Sequence, residues 1–129
     1  MKNHNITTVN DCILKDIQCI KDSRGNLAVV ESQIGIPFEI KRIYYIYDVP
    51  SGSSRAAHAH KNLHQLFIAM SGSFKITIND CFSERSFVLS DPSKGLYVPP
   101  MLWRDLSDFS SNAVTLVLAS SLYDETDYI

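Results

Sequence analysis

The stretch SGSSRAAHAHKNLHQLFIAMSG, residues 51–72, places three of the four histidines of the chain within seven residues of one another. His58 and His60 are two residues apart, so in a β-strand both imidazoles leave the same face. Ala57 and Ala59 then leave the opposite face, where small side chains allow close packing. The pattern predicts a strand that carries two histidines into a cavity.

Short apolar runs bounded by turn residues recur on both sides of this stretch, about every 8 to 12 residues. FKITIN (74–79) alternates apolar and polar side chains, which is typical of an antiparallel strand with one buried face. AVTLVLA (113–119) is apolar on both faces and is expected to be a central strand. Since helical periodicity is weak, we predict an all-β chain of roughly eight to ten strands in a Greek-key or jelly-roll arrangement.

The composition excludes several classes of protein. A length of 129 residues predicts a single domain over 1–129, and a net charge of −2 without a basic run argues against nucleic-acid binding. No apolar stretch reaches the ~18 residues of a membrane span, and no secretory signal is evident. An odd number of widely spaced cysteines favours a reducing cytoplasm over a disulfide scaffold: Cys12, Cys19 and Cys81.

Two imidazoles in one cavity can bind a metal ion or exchange protons near neutral pH. Histidines two residues apart on an edge strand can equally be solvated and have no function. The spacing around them distinguishes these interpretations, because it resembles the first motif of the cupin family. Four positions fit that motif: Gly52, His58, His60 and Gly72.

The remaining two cupin ligand positions depart from the metal-binding pattern. Gln65 occupies the glutamate position, and Arg104 occupies the fourth ligand position in the second motif, GLYVPPMLWRDL (95–106), or Trp103 does if the register slips by one. An amide is a weak ligand, and a guanidinium repels a cation. His64 neighbours Gln65 and is expected to point away from the cavity. We therefore predict neither a metal nor another cofactor.

Nearly the whole chain resembles the sugar 3,4-ketoisomerases, a group within the WxcM-like cupins. The segments that carry this resemblance are DSRGNL (22–27), IPFEIKRIYYIYDVP (36–50), RAAHAHKNLHQ (55–65), GLYVPPMLW (95–103), DFSSNAV (108–114) and LASSLYDETDYI (118–129). The resemblance implies a metal-free cupin jelly roll, and a homodimer that exchanges N-terminal strands. One departure is Ala56, where relatives commonly have glycine.

The resemblance also assigns the site. His58 and His60 match the catalytic pair, and a tyrosine of the strand RIYYIY faces the sugar. Alternation groups Tyr44 with Arg42, which selects Tyr44. The substrate-binding candidates are Arg42, Arg55, Gln65, Tyr97, Trp103 and Arg104. Arg55 can hold a diphosphate or form a surface ion pair, and Tyr97 can instead be a core residue. For YDETDYI (123–129) we expect a structural role that closes the barrel or a dimer.

The implied reaction moves the ketone of dTDP-4-keto-6-deoxy-D-glucose from C4 to C3 through an enediol, with His58 as the carbon base and His60 as the relay. A neutral imidazole suits this proton transfer. The implied pathway is deoxyamino-sugar biosynthesis for surface polysaccharide, such as the O-antigen of lipopolysaccharide. Three alternatives stay open: a 3,5-epimerase, although no histidine–aspartate pair is visible in the sequence, a sugar-nucleotide-binding cupin without activity, and a metal-dependent oxygenase.

Overall fold

The computed structural model describes residues 6–129, which form eleven β-strands and two short 3₁₀ helices, Val9–Asp11 and Glu125–Asp127. The strands are β1 (Ile13–Asp16), β2 (Gln18–Asp22), β3 (Gly25–Val29), β4 (Arg42–Tyr47), β5 (Arg55–His58), β6 (Gln65–Ser71), β7 (Phe74–Asn79), β8 (Glu84–Leu89), β9 (Lys94–Val98), β10 (Trp103–Ser107) and β11 (Val114–Ala119). In this part of the chain, no helix is long and apolar enough to cross a membrane.

The strands form two main antiparallel sheets. One contains β1, β9, β6, β11 and β4 in that order, and the other contains β5, β10, β7 and β8. Most neighbours are far apart in sequence, which is the signature of a jelly roll. The prediction of an all-β cupin jelly roll with little helix is confirmed. The strand count exceeds the predicted eight to ten because short, exposed strands such as β1 and β2 carry little periodicity.

The core lies between the two sheets. In β7, Phe74, Ile76 and Ile78 are buried while the residues between them are partly exposed, as their alternation predicts. β11 pairs with β6 on one side and β4 on the other, which confirms the prediction of a central strand. This core fills one part of the sandwich and leaves a cavity where β4, β5, β6 and β10 approach one another.

A second apolar surface lies on the outer face of the five-stranded sheet. The hairpin of β2 and β3 and the segment 30–40 cover part of this face. Beside them lies an open depression of about 490 Å³, here called the outer groove. Its apolar lining includes Ile43, Ile68, Met70, Leu116 and Leu118.

The strand that carries the histidines is irregular. Ala56 and Ala57 have φ values of 75° and 50°, a region that L-residues adopt at a cost. The pairing of β5 with β10 shifts register at Arg104. β5 ends at His58, so the expectation of one regular strand through both histidines is wrong. His60 reaches the cavity from the following segment, where it forms an isolated bridge with Tyr128.

Candidate active site

The cavity between the two sheets has a volume of about 220 Å³. Strands of both sheets and the segment 124–129 supply its walls. Its lining residues are Arg42, Tyr44, Ile46, Arg55, Ala56, His58, His60, Gln65, Phe67, Arg104, Leu106 and Tyr128. Most of the polar side chains among them point inward from strand positions that a jelly roll normally fills with apolar residues.

The two imidazoles meet edge to face, with ring centroids 4.6 Å apart and an interplanar angle of 84°. His58 Nδ1 lies 2.5 Å from the Ala56 carbonyl oxygen, and His60 Nδ1 lies 3.0 Å from Asp127 Oδ2. Because a carbonyl and a carboxylate only accept hydrogen bonds, both Nδ1 atoms carry the proton. Each imidazole therefore keeps a free electron pair on Nε2 and can act as a base.

Both histidines are neutral at pH 7. Burial lowers the pKa of His58 below its ordinary value of 6.5. The pKa of His60 falls further, to about 4, because burial is reinforced by the nearby cations of Arg104 and of a protonated His58. The hydrogen bond to Asp127 opposes this decrease without reversing it. Neutral imidazoles are the form that general-base catalysis requires.

The segment 124–129 forms one wall of the site. Asp127 accepts a second hydrogen bond on Oδ1, from the Asn62 amide at 2.8 Å, while its own carbonyl accepts from the Lys61 amide. The Tyr128 ring stacks on the His58 ring with centroids 4.6 Å apart and an angle of 24°. These contacts fix the orientation of both imidazoles.

A hydrogen-bonded chain of three side chains forms another part of the cavity wall. Arg104 Nη1 donates to Gln65 Oε1 at 2.6 Å, and Gln65 Nε2 donates to the Tyr44 hydroxyl oxygen at 2.9 Å. Arg104 is 0% exposed and also donates to the carbonyls of Pro99 and Leu102. Burial lowers the pKa of this guanidinium to about 10, so it remains a cation at neutral pH.

The cavity is electropositive. Within residues 6–129, the ion pairs are Arg24–Asp22, His60–Asp127 and Lys94–Asp16, so none of the three lining arginines contacts a carboxylate. Arg42 Nε is buried without a hydrogen-bond partner in this part of the chain. Unpaired guanidinium groups in a concave site favour an anionic ligand, and phosphate oxygens match their geometry.

The donor set does not fit a metal ion. His58 and His60 are the only ligands at the cupin metal positions, since the Gln65 oxygen is occupied by Arg104 and the fourth position is a cation. Across the described residues, no three side chains of the histidine, cysteine or carboxylate types converge on one point. A first-row metal usually has at least three such ligands.

A family model described as WxcM-like, C-terminal, matches residues 10–129. This chain belongs to the WxcM-like family. The match covers both cupin motifs and the segment that supplies Asp127 and Tyr128, so every part of the cavity wall lies inside it.

Relatives of this WxcM-like protein have named activities. TDP-4-oxo-6-deoxy-alpha-D-glucose-3,4-oxoisomerase of Aneurinibacillus thermoaerophilus is 46% identical over 110 residues, which are 85% of this chain and 79% of the relative. A mutant of the 3,4-ketoisomerase QdtA of Thermoanaerobacterium thermosaccharolyticum, in complex with TDP-4-keto-6-deoxyglucose, superposes with a TM-score of 0.91 at 44% identity, covering 95% of this chain and 88% of that one. For the TDP-quinovose 3,4-ketoisomerase WlaRB of Campylobacter jejuni, the TM-score is 0.89 at 44% identity, with coverage of 94% and 93%.

The WxcM-like cavity collects seven of the nine residues predicted from the sequence: Arg42, Tyr44, Arg55, His58, His60, Gln65 and Arg104. Tyr97 lies outside it, because its β9 neighbours Leu96 and Val98 fill the core and alternation turns Tyr97 to the outer face. There its hydroxyl lies 2.7 Å from His64 Nδ1, and His64 is outside the cavity as predicted.

Trp103 also lies outside the cavity. It precedes the inward-pointing Arg104 on β10, so its ring faces the surface, 42% exposed. Its Nε1 donates to Asp105 Oδ2 at 3.0 Å. The predicted stacking of Tyr97 and Trp103 on the sugar or base is therefore not supported by their positions in this chain.

The sequence interpretation missed Asp127 and Tyr128. It favours a structural role for residues 123–129 over a catalytic one and sees no histidine–aspartate pair, and the second statement is wrong, since His60 and Asp127 form one. The partners are 67 residues apart, so no local spacing links them. The available signal was the unusual concentration of acidic and aromatic residues in that short segment.

Proposed function

We propose that this protein is a TDP-sugar 3,4-ketoisomerase that converts dTDP-4-keto-6-deoxy-D-glucose into the 3-keto isomer by metal-free acid–base catalysis. The observation that carries this proposal is the pair of neutral, touching imidazoles, each with a free Nε2, in a cavity whose cations lack carboxylate partners. The activities named for its relatives agree with it.

The first step is removal of the C3 proton by His58 Nε2. The C4 ketone acidifies this proton, and the electron pair of the broken C–H bond forms a C3–C4 double bond, leaving negative charge on the C4 oxygen. Tyr44 and Arg104 are the groups proposed to stabilise that enediolate. A hydrogen-bond donor and a fixed cation in a site shielded from water are effective for a charge that develops during the reaction.

The second step transfers the proton between the two oxygens. His60 Nε2 takes the proton from the C3 hydroxyl and returns it to the C4 oxygen, which moves the negative charge to the C3 oxygen. The enediolate then collapses to a C3 ketone, while protonated His58, after its N–H exchanges with solvent, delivers a proton to C4. No redox cofactor is needed, since the electrons gained by C4 are those lost by C3. Asp127 holds His60 in the tautomer that this exchange requires.

The charges of the site also support binding of a nucleotide-linked sugar. A cavity of about 220 Å³ is smaller than typical drug-sized pockets of roughly 300–1,000 Å³, so it suits a hexose while the nucleotide lies outside. Arg42 and Arg55 are proposed to bind the diphosphate, because both lack carboxylate partners among the described residues and Arg55 is exposed.

The proposed assembly is a homodimer that exchanges N-terminal strands. The outer groove is suited to an apolar partner surface, because two of its lining residues are largely exposed: Ile43 at 60% and Met70 at 50%. A contiguous apolar surface of this kind typically marks an interface. Among residues 6–129, β2 and β3 pair only with each other and not with either main sheet, which suits an element that packs on a second copy.

The test is incubation with dTDP-4-keto-6-deoxyglucose in deuterated buffer, followed by proton NMR, with a His58→Asn variant as the control. We expect a 3-keto product with deuterium at C4, formed by the unmodified protein and not by the variant. Deuterium at C3 or C5 without ketone migration would instead establish an epimerase. Tight TDP binding without any exchange would establish a binding protein, and both outcomes would overturn the proposal.

A further inference from the structure

The orientation of the Gln65 amide is determined by its neighbour. Arg104 carries only hydrogen-bond donors, so the atom of Gln65 that faces it at 2.6 Å is the carbonyl oxygen. The amide nitrogen therefore faces Tyr44, and it donates to the hydroxyl oxygen at 2.9 Å. The reverse orientation would place two donors against each other.

This orientation decides where the hydroxyl hydrogen of Tyr44 points. The oxygen already accepts a hydrogen bond from Gln65, so its own hydrogen cannot point along the same line. Among residues 6–129, no acceptor takes that hydrogen. Tyr44 lines the cavity, and the free direction of its O–H bond is therefore the cavity itself.

The chain is rigid at its buried end. Gln65 is 1% exposed and Arg104 is 0% exposed. Arg104 Nε and Nη2 donate to backbone carbonyls of the 99–102 turn, which prevents the guanidinium from rotating away. A guanidinium with several fixed partners cannot exchange its contact with Gln65 for water.

We propose that Gln65, held by Arg104, is a positioning residue that fixes Tyr44 as a hydrogen-bond donor toward the reacting oxygens. This proposal rests on the proposed function for its catalytic consequence, but the direction of the Tyr44 proton is a property of the protein without substrate. It gives Gln65 a role other than contact with the sugar. Tyr44 then acts as a donor to the enediolate and not as a base.

The first test measures Tyr44 without substrate. Protein labelled with 3-fluorotyrosine is titrated by ¹⁹F NMR, and the Tyr44 signal is assigned by its loss in Tyr44→Phe. In Gln65→Met the donor to the phenolate is lost, and in Gln65→Glu the carboxylate accepts a hydrogen bond from the neutral Tyr44 hydroxyl. We expect the pKa of Tyr44 to increase from the unmodified protein to Gln65→Met and again to Gln65→Glu, by more than about one unit in total. An unchanged value in both variants would overturn the proposal.

The second test is a double-mutant cycle on turnover. We expect Gln65→Met and Tyr44→Phe each to lower kcat by about 10- to 100-fold with KM changed less than about threefold, and the double variant to fall no more than about threefold below Tyr44→Phe. Losses that multiply, or a Gln65→Met variant within threefold of normal, would contradict the positioning role. Exposed Gln33→Glu is the control for added charge.

The two tests separate the two proposals. If the unmodified protein does not isomerise the sugar, the proposed function fails, while the fluorine titration still decides the orientation of Tyr44. If turnover is normal and the titration is unaffected by residue 65, the positioning role alone fails. Melting curves of each variant show whether it is folded, and Gln65→Glu remains usable if Gln65→Met is not, since its carboxylate can pair with Arg104.

Discussion

Along β4, side chains alternate between the cavity and the outer face. The side chains that point inward are the more polar set and those that point outward are the more apolar set, which is the reverse of a typical sheet. Arg42 and Tyr44 point toward the cavity, whereas Ile43, Tyr45 and Tyr47 are each 60% exposed. Antiparallel sheets with one solvated face usually place polar residues outside. Neither face of this strand is therefore explained by the folding of one chain alone.

The two faces are incomplete in different ways. Burying a guanidinium such as Arg104 costs several kcal/mol unless its surroundings compensate, and within the described part of the chain its hydrogen-bond partners are all neutral oxygens. The outer groove is unfavourable for the opposite reason, because its apolar surface remains exposed to water. In the proposals above, an anionic substrate would complete the inner face and a second copy of the chain would cover the outer face. Changes to the inner face should therefore affect chemistry, and changes to the outer face should affect assembly.

The largest expected effect is the loss of His60. His60→Asn should lower kcat by about 10³-fold, because it removes the group proposed to pass the proton between the oxygens. The matched control is His64→Asn in the same segment, which lies outside the cavity and should stay within about threefold of normal. Steady-state kinetics measure both. Equal losses in the two variants would remove the distinction between inner and outer positions.

A smaller effect is expected from Asp127→Asn. An amide can turn its NH₂ toward His60 and stabilise the wrong tautomer, so kcat should fall by about 10- to 100-fold while KM changes little. Exposed Glu125→Gln, two residues earlier, serves as the control for a lost negative charge. If Asp127→Asn leaves kcat unchanged, residues 124–129 are a structural wall only.

The pH dependence of kcat/KM measures the protonation of the two histidines on the inner face. Because the pKa of both histidines is lowered, kcat/KM should be constant above about pH 7 and fall on the acid side below pH 6.5. Arg104→Met removes a cation that lowers both values, so the imidazole titrations followed by NMR should move toward neutral pH. A shift in the acid direction, or none, would contradict the electrostatic role of Arg104.

The same shifts predict how stability depends on pH. The unfolded chain binds a proton on His60 near pH 6.5, whereas the folded chain resists it down to about pH 4. The free energy of unfolding should therefore decrease as the pH falls through this window and should not depend on His60 above it. His60→Asn should remove this part of the decrease in denaturant titrations.

The outer face is tested by Met70→Lys. A lysine in the outer groove should weaken association and shift the protein toward the monomer in sedimentation or light scattering, with little direct effect on the chemistry. Val88→Lys, a 70% exposed position on the other main sheet, is the control. If both variants keep the same oligomeric state as the unmodified protein, the groove is not the interface.

The smallest effect is expected at Ala56. A φ of 75° costs an L-residue about 1–2 kcal/mol of backbone strain, which glycine would not have. Part of the stability gained by relieving this strain is lost, because glycine has greater conformational freedom in the unfolded chain. Ala56→Gly should therefore raise the free energy of unfolding by about 0.5–1 kcal/mol, measured by denaturant titration. A destabilised variant would show that the methyl group packs against the cavity wall more tightly than its half-buried state indicates.

The parts of the molecule that follow a local period could be predicted from the sequence. The alternation in β7 and the apolar run of β11 identified strands, and the spacing of the cupin motif brought His58, His60, Gln65 and Arg104 to one place. The same alternation, applied to β9 and β10, would have turned Tyr97 and Trp103 outward. They were predicted to face the sugar from their proximity to the second motif alone.

Other features depend on contacts that no local pattern encodes. The consecutive left-handed residues Ala56 and Ala57 end β5 early, yet neither is a residue type that signals such a conformation. The pairing of Asp127 with His60 depends on where residues 124–129 return to the sandwich, and many such paths are compatible with one acidic, aromatic sequence. Strand faces are therefore readable in advance, whereas irregular segments and their long-range partners are not.

The distance along the chain between His60 and Asp127 also sets an order of events during synthesis. At translation rates of roughly 5–20 residues per second, the 67 residues between them take about 3 to 13 s to make. Because β11, the last strand of the main sheets, ends at Ala119, every main-sheet strand can be present near the end of that interval while His60 still lacks its carboxylate. A nascent chain released between residues 119 and 127 would therefore carry both main sheets and both histidines but lack the carboxylate that orients His60.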